Sequence, residues 1–137
     1  MKNDQPTPRG PLLSWQWSLY GGNHTDRGNL LLHVATVPVF QLGTLALAGA
    51  ALAALRAGPL AGAASAFAGL AMMGGAMALQ GRGHKREAAA PVPFEGPLDV
   101  ASRILVEQWV TFPRYALSGG LARAWRASSP SPSPSRS

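Results

Sequence analysis

The sequence predicts an all-α fold: an integral membrane helical bundle built on a central two-helix transmembrane hairpin, with flanking interfacial or further membrane helices. Three observations lead there. Apolar residues crowd into one block from Val34 to Leu79 instead of recurring with amphipathic spacing. The charged side chain inside that block is Arg56, beside Gly58-Pro59, so the block reads as two uncharged runs joined by a tight break. Each run is long enough, at about 1.5 Å per residue, to cross a hydrocarbon core of about 30 Å. A hairpin of that length returns His84 to the membrane face from which His33 departs.

With 137 residues the chain has room for one domain, placed at residues 11–127. A mean hydropathy near zero conceals an apolar centre between polar ends. The absence of cysteine excludes disulfides, thiolate chemistry, zinc-finger spacing and iron–sulfur ligation, so any metal must take nitrogen and oxygen ligands. The net charge of +6 does not indicate nucleic acid, because the basic residues flank apolar segments and lack interleaved aromatics. Lys2, Arg9 and Arg27 precede the first run, and Arg82, Lys85, Arg86, Arg103, Arg114, Arg123, Arg126 and Arg136 follow the second. The positive-inside rule then puts both termini in the cytoplasm, with Arg56 alone in the opposite turn. The membrane would be the inner membrane of a bacterial cell or the endoplasmic reticulum of a eukaryotic one. Met1 to Pro11 is polar and rich in proline, unlike a cleavable signal peptide.

In chain order, residues 1–10 are expected to be disordered. Pro11 opens a short interfacial helix through Leu12, Leu13, Trp15, Trp17, Leu19 and Tyr20, whose aromatics suit a headgroup-level belt. Gly21-Gly22-Asn23 breaks that helix, and His24 to Asn29 makes a polar turn. The spans are expected at about residues 30–55, with Pro38 near the entrance, and about residues 60–80. Gly58, Gly62 and Ala66, and likewise Ala46 and Ala50, recur every four residues, a spacing that lets helix backbones approach closely in lipid. Met72, Met73 and Met77 suit gap-filling in that packing.

Gln80 to Pro97 reads as a polar return loop punctuated by Gly81, Gly83, Pro91 and Pro93. C-terminal helices are expected over about residues 98–126. In the first of them Leu98, Ala101, Leu105, Trp109 and Phe112 share one face, with Asp99, Arg103 and Glu107 off it. Arg103 and Glu107, four apart, read as a surface pair. Pro113 interrupts, and Gly119-Gly120 breaks the interfacial segment that follows. The Ser-Pro repeat within residues 128–137 reads as a disordered tail.

All three histidines, His24, His33 and His84, fall at one predicted interface, with Asp26 and Glu87 nearby. Three imidazoles and a carboxylate suit a divalent metal such as iron with open positions for substrate. Singly, each histidine also suits a hydrogen-bonding role at a helix end. His24 and His33 are nine apart, about 180° around a continuous helix, so both can be ligands only if the Gly28-Asn29 turn redirects the chain. Haem held between His33 and His84 is a further possibility at this level. A G-x-S-x-G nucleophile elbow is missing, and three histidines are too few for a di-iron cluster of the desaturase kind.

The string Trp17-x-x-Tyr20-x-x-x-His24-x-x-x-x-Asn29-x-x-x-His33-x-x-x-x-Pro38 resembles the opening signature of the Mpo1-like family, also called DUF962. Gln80-x-x-Gly83-His84, followed by Glu87 and Pro91, resembles its second signature. The stretch Glu107 to Arg114, continuing to Ser118-Gly119-Gly120, is similar to bacterial members, so the likeness covers roughly residues 12–120. It implies an iron(II)-dependent dioxygenase that shortens 2-hydroxy fatty acids by one carbon in α-oxidation, releasing carbon dioxide without using 2-oxoglutarate. It also implies His24, His33 and His84 as catalytic iron ligands, with Glu87 as a fourth candidate. The chain departs from the pattern at Thr25-Asp26-Arg27-Gly28, where the family has Asn-Pro, at Thr36, where glycine is common, and in a His84-to-Glu87 gap one residue shorter.

The expected function is accordingly an iron dioxygenase in a lipid bilayer, with a 2-hydroxy fatty acid and dioxygen as substrates. Arg82, Lys85, Arg86 and Arg114 are candidates to hold the substrate carboxylate, or else anchor the chain to anionic lipid. The alternative is a non-catalytic small membrane protein, a scaffold or lipid-packing subunit with structural histidines.

Overall fold

The computed structural model describes residues 9–128, and the chain is all-helical there. The segments expected to be disordered lie outside the described residues, except for Arg9, Gly10 and Ser128. Arg9 is tied down, pairing with Glu95 at 2.7 Å and Asp99 at 2.9 Å.

Helix α1 covers Leu12–Tyr20, α2 Arg27–Ala48, α3 Ala50–Ala57 and α4 Pro59–His84. α2 and α4 are each long and apolar enough to cross a membrane. α2 starts earlier than expected because Asp26 caps it, its carboxylate accepting the Asn29 N–H at 2.8 Å. The first run does not continue unbroken to residue 55: Gly49 divides it into α2 and α3. Gly58, at φ 93°, then makes the turn that only glycine adopts without strain, and Pro59 opens α4.

α4 runs back antiparallel along α2 and α3. Glycine makes the contact possible: a Cβ on Gly69 would lie 2.6 Å from the Gly43 carbonyl oxygen, and one on Gly62 would lie 2.6 Å from the Ala54 Cβ. Ser65 adds a hydrogen bond to the Ala46 carbonyl at 2.8 Å. α4 also persists through His84, so the expected loop from Gln80 begins a turn later.

The remaining elements cover the open end of this hairpin. Helix α5, Pro97–Val106, passes through a π-helical turn, Glu107–Thr111, into α6, Phe112–Leu117, and α7 covers Gly120–Ala127. The helix therefore is not interrupted at Pro113: the Phe112 N–H reaches the Glu107 carbonyl in a wide turn, and Pro113 falls in the first turn of α6. Tyr20, Leu30, Val37, Phe112 and Tyr115 form the buried core, with Trp17, Leu121 and Ala124 against it.

The polarity of α5 is the reverse of the expected one. Leu98, Leu105 and Trp109 are exposed, whereas Arg103 is buried and Glu107 half-buried. Arg103 does not pair with Glu107. It reaches Asp99 at 3.3 Å and the carbonyls of Val92 at 2.9 Å and Pro93 at 3.1 Å, pinning the 91–96 strap while its guanidinium lies over Trp15 and Phe94.

Candidate metal centre

The open end of the hairpin collects polar side chains out of water. His24, Asn29, His33, Thr36, Gln80, Gln108 and Thr111 are all buried. Such burial is costly unless each group finds a partner, so the partners define the site.

His24 comes from the turn between α1 and α2, His33 from the second turn of α2, and His84 from the end of α4. The Asp26-capped turn redirects the chain as the nine-residue spacing requires. Ring centroids are 4.6 Å apart for His24 and His33, and 5.0 Å from each of these to His84. The His24 Nδ1 lies 2.9 Å from the Tyr20 carbonyl and the His33 Nδ1 lies 3.0 Å from the Asn29 carbonyl. A carbonyl only accepts, so both Nδ1 atoms carry a proton, and the Nε2 of a neutral ring then presents a lone pair. Those two Nε2 atoms face each other at 3.3 Å. The Nδ1 of His84 is buried without any partner.

The fourth member is Glu107, delivered by the first residue of the π turn. Its Oε1 lies 3.6 Å from the His33 Nε2, 3.8 Å from the His24 Nε2 and 3.4 Å from the Tyr20 hydroxyl. One ligand atom from each of His24, His33, His84 and Glu107 lies within 4.8 Å of the others. Nitrogen ligands about 2.1 Å from a tetrahedral ion stand about 3.4 Å apart, and the 3.3 Å Nε2 separation is compatible with that spacing. The close approach of the two Nε2 atoms and the buried, unpartnered His84 Nδ1 are features that a metal ion among the rings would fit. Burial, then the neighbouring His33, push His24 down to about 4 against the pull of Glu107, which keeps this imidazole neutral at pH 7. Burial raises Glu107, but the adjacent His33, with His24 and His84, outweighs it and holds the carboxyl below its usual range.

Glu87 is not in this group. Its carboxylate accepts hydrogen bonds from the Thr25 hydroxyl at 2.7 Å, the Asn29 amide at 2.6 Å and the Thr25 and Asp26 N–H groups. These donors hold it below its usual range despite burial that raises it. Asp26 likewise serves the helix cap. Arg86 packs on Gly28 and Arg114 lies over the Trp17 ring at 4.2 Å, while Arg82 is exposed.

A cavity of about 170 Å³ opens beside the cluster. His24, His84, Glu107 and Tyr20 are at its polar end, and Trp15, Leu19, Met77, Val92, Phe94 and Ile104 supply apolar wall. Its bordering cation is Arg103, not Arg82, Arg86 or Arg114. On the far side a buried amide network backs the site: Gln108 donates to Gln80 at 2.7 Å, Gln80 to Thr36 at 2.9 Å, and Gln41 to the Gln108 carbonyl at 2.8 Å. Neither Glu107 as a cluster member nor this network was visible in the spacing of the sequence. The signal that could have flagged Glu107 is a carboxylate on the helix face opposite an apolar stripe too large to be solvated.

No protein-family model, curated protein or solved structure matches this chain.

Proposed function

We propose that the protein is an integral membrane iron(II) dioxygenase that shortens a 2-hydroxy fatty acid by one carbon, with His24, His33, His84 and Glu107 as its metal ligands. The observation that carries this reading is the pair of imidazole Nε2 atoms 3.3 Å apart beside an unpartnered His84 Nδ1 and a carboxylate, at the end of an apolar cavity. The likeness to the Mpo1-like family, read from the same three histidines, supports the reaction class.

Three imidazoles and one carboxylate form a nitrogen and oxygen donor set of the kind that binds iron and leaves positions open. A bound iron(II) would supply Lewis-acid and redox chemistry toward dioxygen and an α-hydroxy acid. The chain's own residues do the rest. Trp15, Leu19, Met77, Phe94 and Ile104 offer an acyl chain an apolar wall, and the Tyr20 hydroxyl hydrogen-bonds Glu107 at the polar end. The overall change balances as one 2-hydroxy acid and one dioxygen giving the acid one carbon shorter, one carbon dioxide and one water.

The membrane setting is part of the proposal. Only 33% and 17% of the most apolar windows of α2 and α4 are buried, whereas a soluble protein's core helix is mostly buried. Leu42, Leu45, Leu55, Leu60, Phe67 and Leu70 point outward along the hairpin, and α5 turns its apolar face outward as well. In lipid those faces are satisfied, and both termini lie on the cytoplasmic side with the metal centre near that interface.

Protein purified in detergent and reloaded with iron(II) should take up oxygen with 2-hydroxypalmitate and release carbon dioxide one for one. Iron bound without oxygen uptake would overturn the reaction. Absence of stoichiometric metal would return the histidines to a structural role in a non-catalytic membrane protein.

A further inference from the structure

We propose that Glu87 is a positioning residue: one carboxylate that holds the three imidazoles in register without touching the metal. The inference rests on the metal-centre reading above for its purpose, and on hydrogen bonds alone for its geometry.

Glu87 stands one turn beyond His84, its own N–H bonded to the His84 carbonyl at 3.1 Å, so it moves with the end of α4. Its carboxylate spans to the segment that bears the other two histidines. The Thr25 N–H approaches Oε2 at 3.0 Å, the Asp26 N–H approaches Oε1 at 3.1 Å, and the Thr25 hydroxyl and Asn29 amide complete the shell at 2.7 and 2.6 Å. Thr25 and Asp26 directly follow His24. Asn29 supplies the carbonyl that fixes the His33 ring at 3.0 Å. Every ligand-bearing imidazole is therefore at most two links from this one carboxylate.

Two features separate this from an ordinary turn cap. Asp26 already caps α2 through the Asn29 N–H at 2.8 Å, so Glu87 is not needed to start the helix. Gly83 also leaves the space in which the Asn29 side chain lies against α4, where any Cβ would strike its amide oxygen. The Asn29–Glu87 bond thus closes a contact built between the two histidine-bearing helices. Hydrogen bonds to an ionised acceptor are roughly twice as strong as neutral ones, and loss of an outer partner typically costs about 10–100-fold in metal affinity.

The test compares wild type, Glu87→Ala and Glu87→Gln in detergent, each with unchanged helical circular dichroism. Ring-nitrogen NMR of metal-free protein reads the histidine tautomers, and cobalt(II) titration reads affinity and ligand field. Wild type should show His24 and His33 as fixed Nδ1–H tautomers. Glu87→Ala should average them and weaken cobalt(II) binding by up to about 10-fold, the low end of the loss when a ligand's direct partner is removed, with the same number of ligands. Glu87→Gln, which retains an acceptor oxygen, should fall between. Wild-type tautomers and affinity in Glu87→Ala would overturn the proposal, as would a ligand-field change showing that one ligand has been lost. If wild type binds no cobalt(II) but Glu87→Ala still frees the tautomers, the metal reading fails while the register role stands.

Discussion

The two ends of the helical hairpin are held together by different physics. At the closed end, from Gly43 and Gly69 to the Gly58-Pro59 turn, the helices meet through backbone and small side chains, and Ser65 makes the one cross-helix hydrogen bond named above. At the open end eight polar or charged residues are buried, Arg103 among them, each positioned by a partner on another element or one turn away. Packing of small residues is tolerant of identity as long as nothing large intrudes. Buried polar clusters are intolerant, because one missing partner leaves another group desolvated and unpaired. The contrast teaches where to look for function: the closed end explains why the helices lie together, and only the open end needs particular chemistry.

Several substitutions would sharpen or break this contrast. The largest effect is expected at the proposed metal ligands. His33→Ala and Glu107→Gln should lower metal affinity beyond the ~10–100-fold typical of outer partners, with helical content retained, as metal analysis after dialysis will show. Next comes acidification of metal-free protein. The folded-state value for His24 of about 4 lies below the ordinary 6.5, so the unfolded chain binds the proton first as pH falls. Stability should be full above about pH 6.5 and decline by up to about 3 kcal/mol toward pH 4, followed by thermal unfolding in detergent.

At the closed end, Gly69→Val drives a side chain against the Gly43 carbonyl and should cost about 1–3 kcal/mol while metal stoichiometry stays at the wild-type level. Gln108→Leu should cost a similar or slightly smaller amount by stranding the Gln80 amide. Adding Gln80→Leu should recover part of it, a non-additivity that unfolding midpoints can detect. Gly74→Ala, where a Cβ meets open space, should change stability by less than about 1 kcal/mol and in the favourable direction. A metal loss in Gly69→Val as large as in His33→Ala would erase the distinction between the two ends.

Much of the closed end was legible in the sequence, since an uncharged run broken at Gly58-Pro59 can be read directly from composition. The placement of the three histidines at one end of the hairpin was legible too, because all three fall within a few residues of one predicted interface. Glu107 was not. Amphipathic reasoning assumes that the apolar face turns inward, and it placed Arg103 and Glu107 on the surface. In α5 the interior is the polar side, so the same 3.6-residue pattern gave the opposite orientation. The π turn at Glu107–Thr111 then restored Phe112 to the core, a local change of period that spacing cannot announce. Glu87 stands out in the sequence by its nearness to His84, but its partners Thr25, Asp26 and Asn29 lie across the hairpin. Their convergence depends on how α2 and α4 come together at Gly83.

The most direct test of the central claim is the metal content per chain of washed, detergent-purified protein after exposure to iron(II). The convergence of His24, His33, His84 and Glu107 predicts one ion per wild-type chain and none retained by His33→Ala or Glu107→Gln. A wild-type chain that retains no stoichiometric metal, or variants that retain as much as wild type, would contradict it.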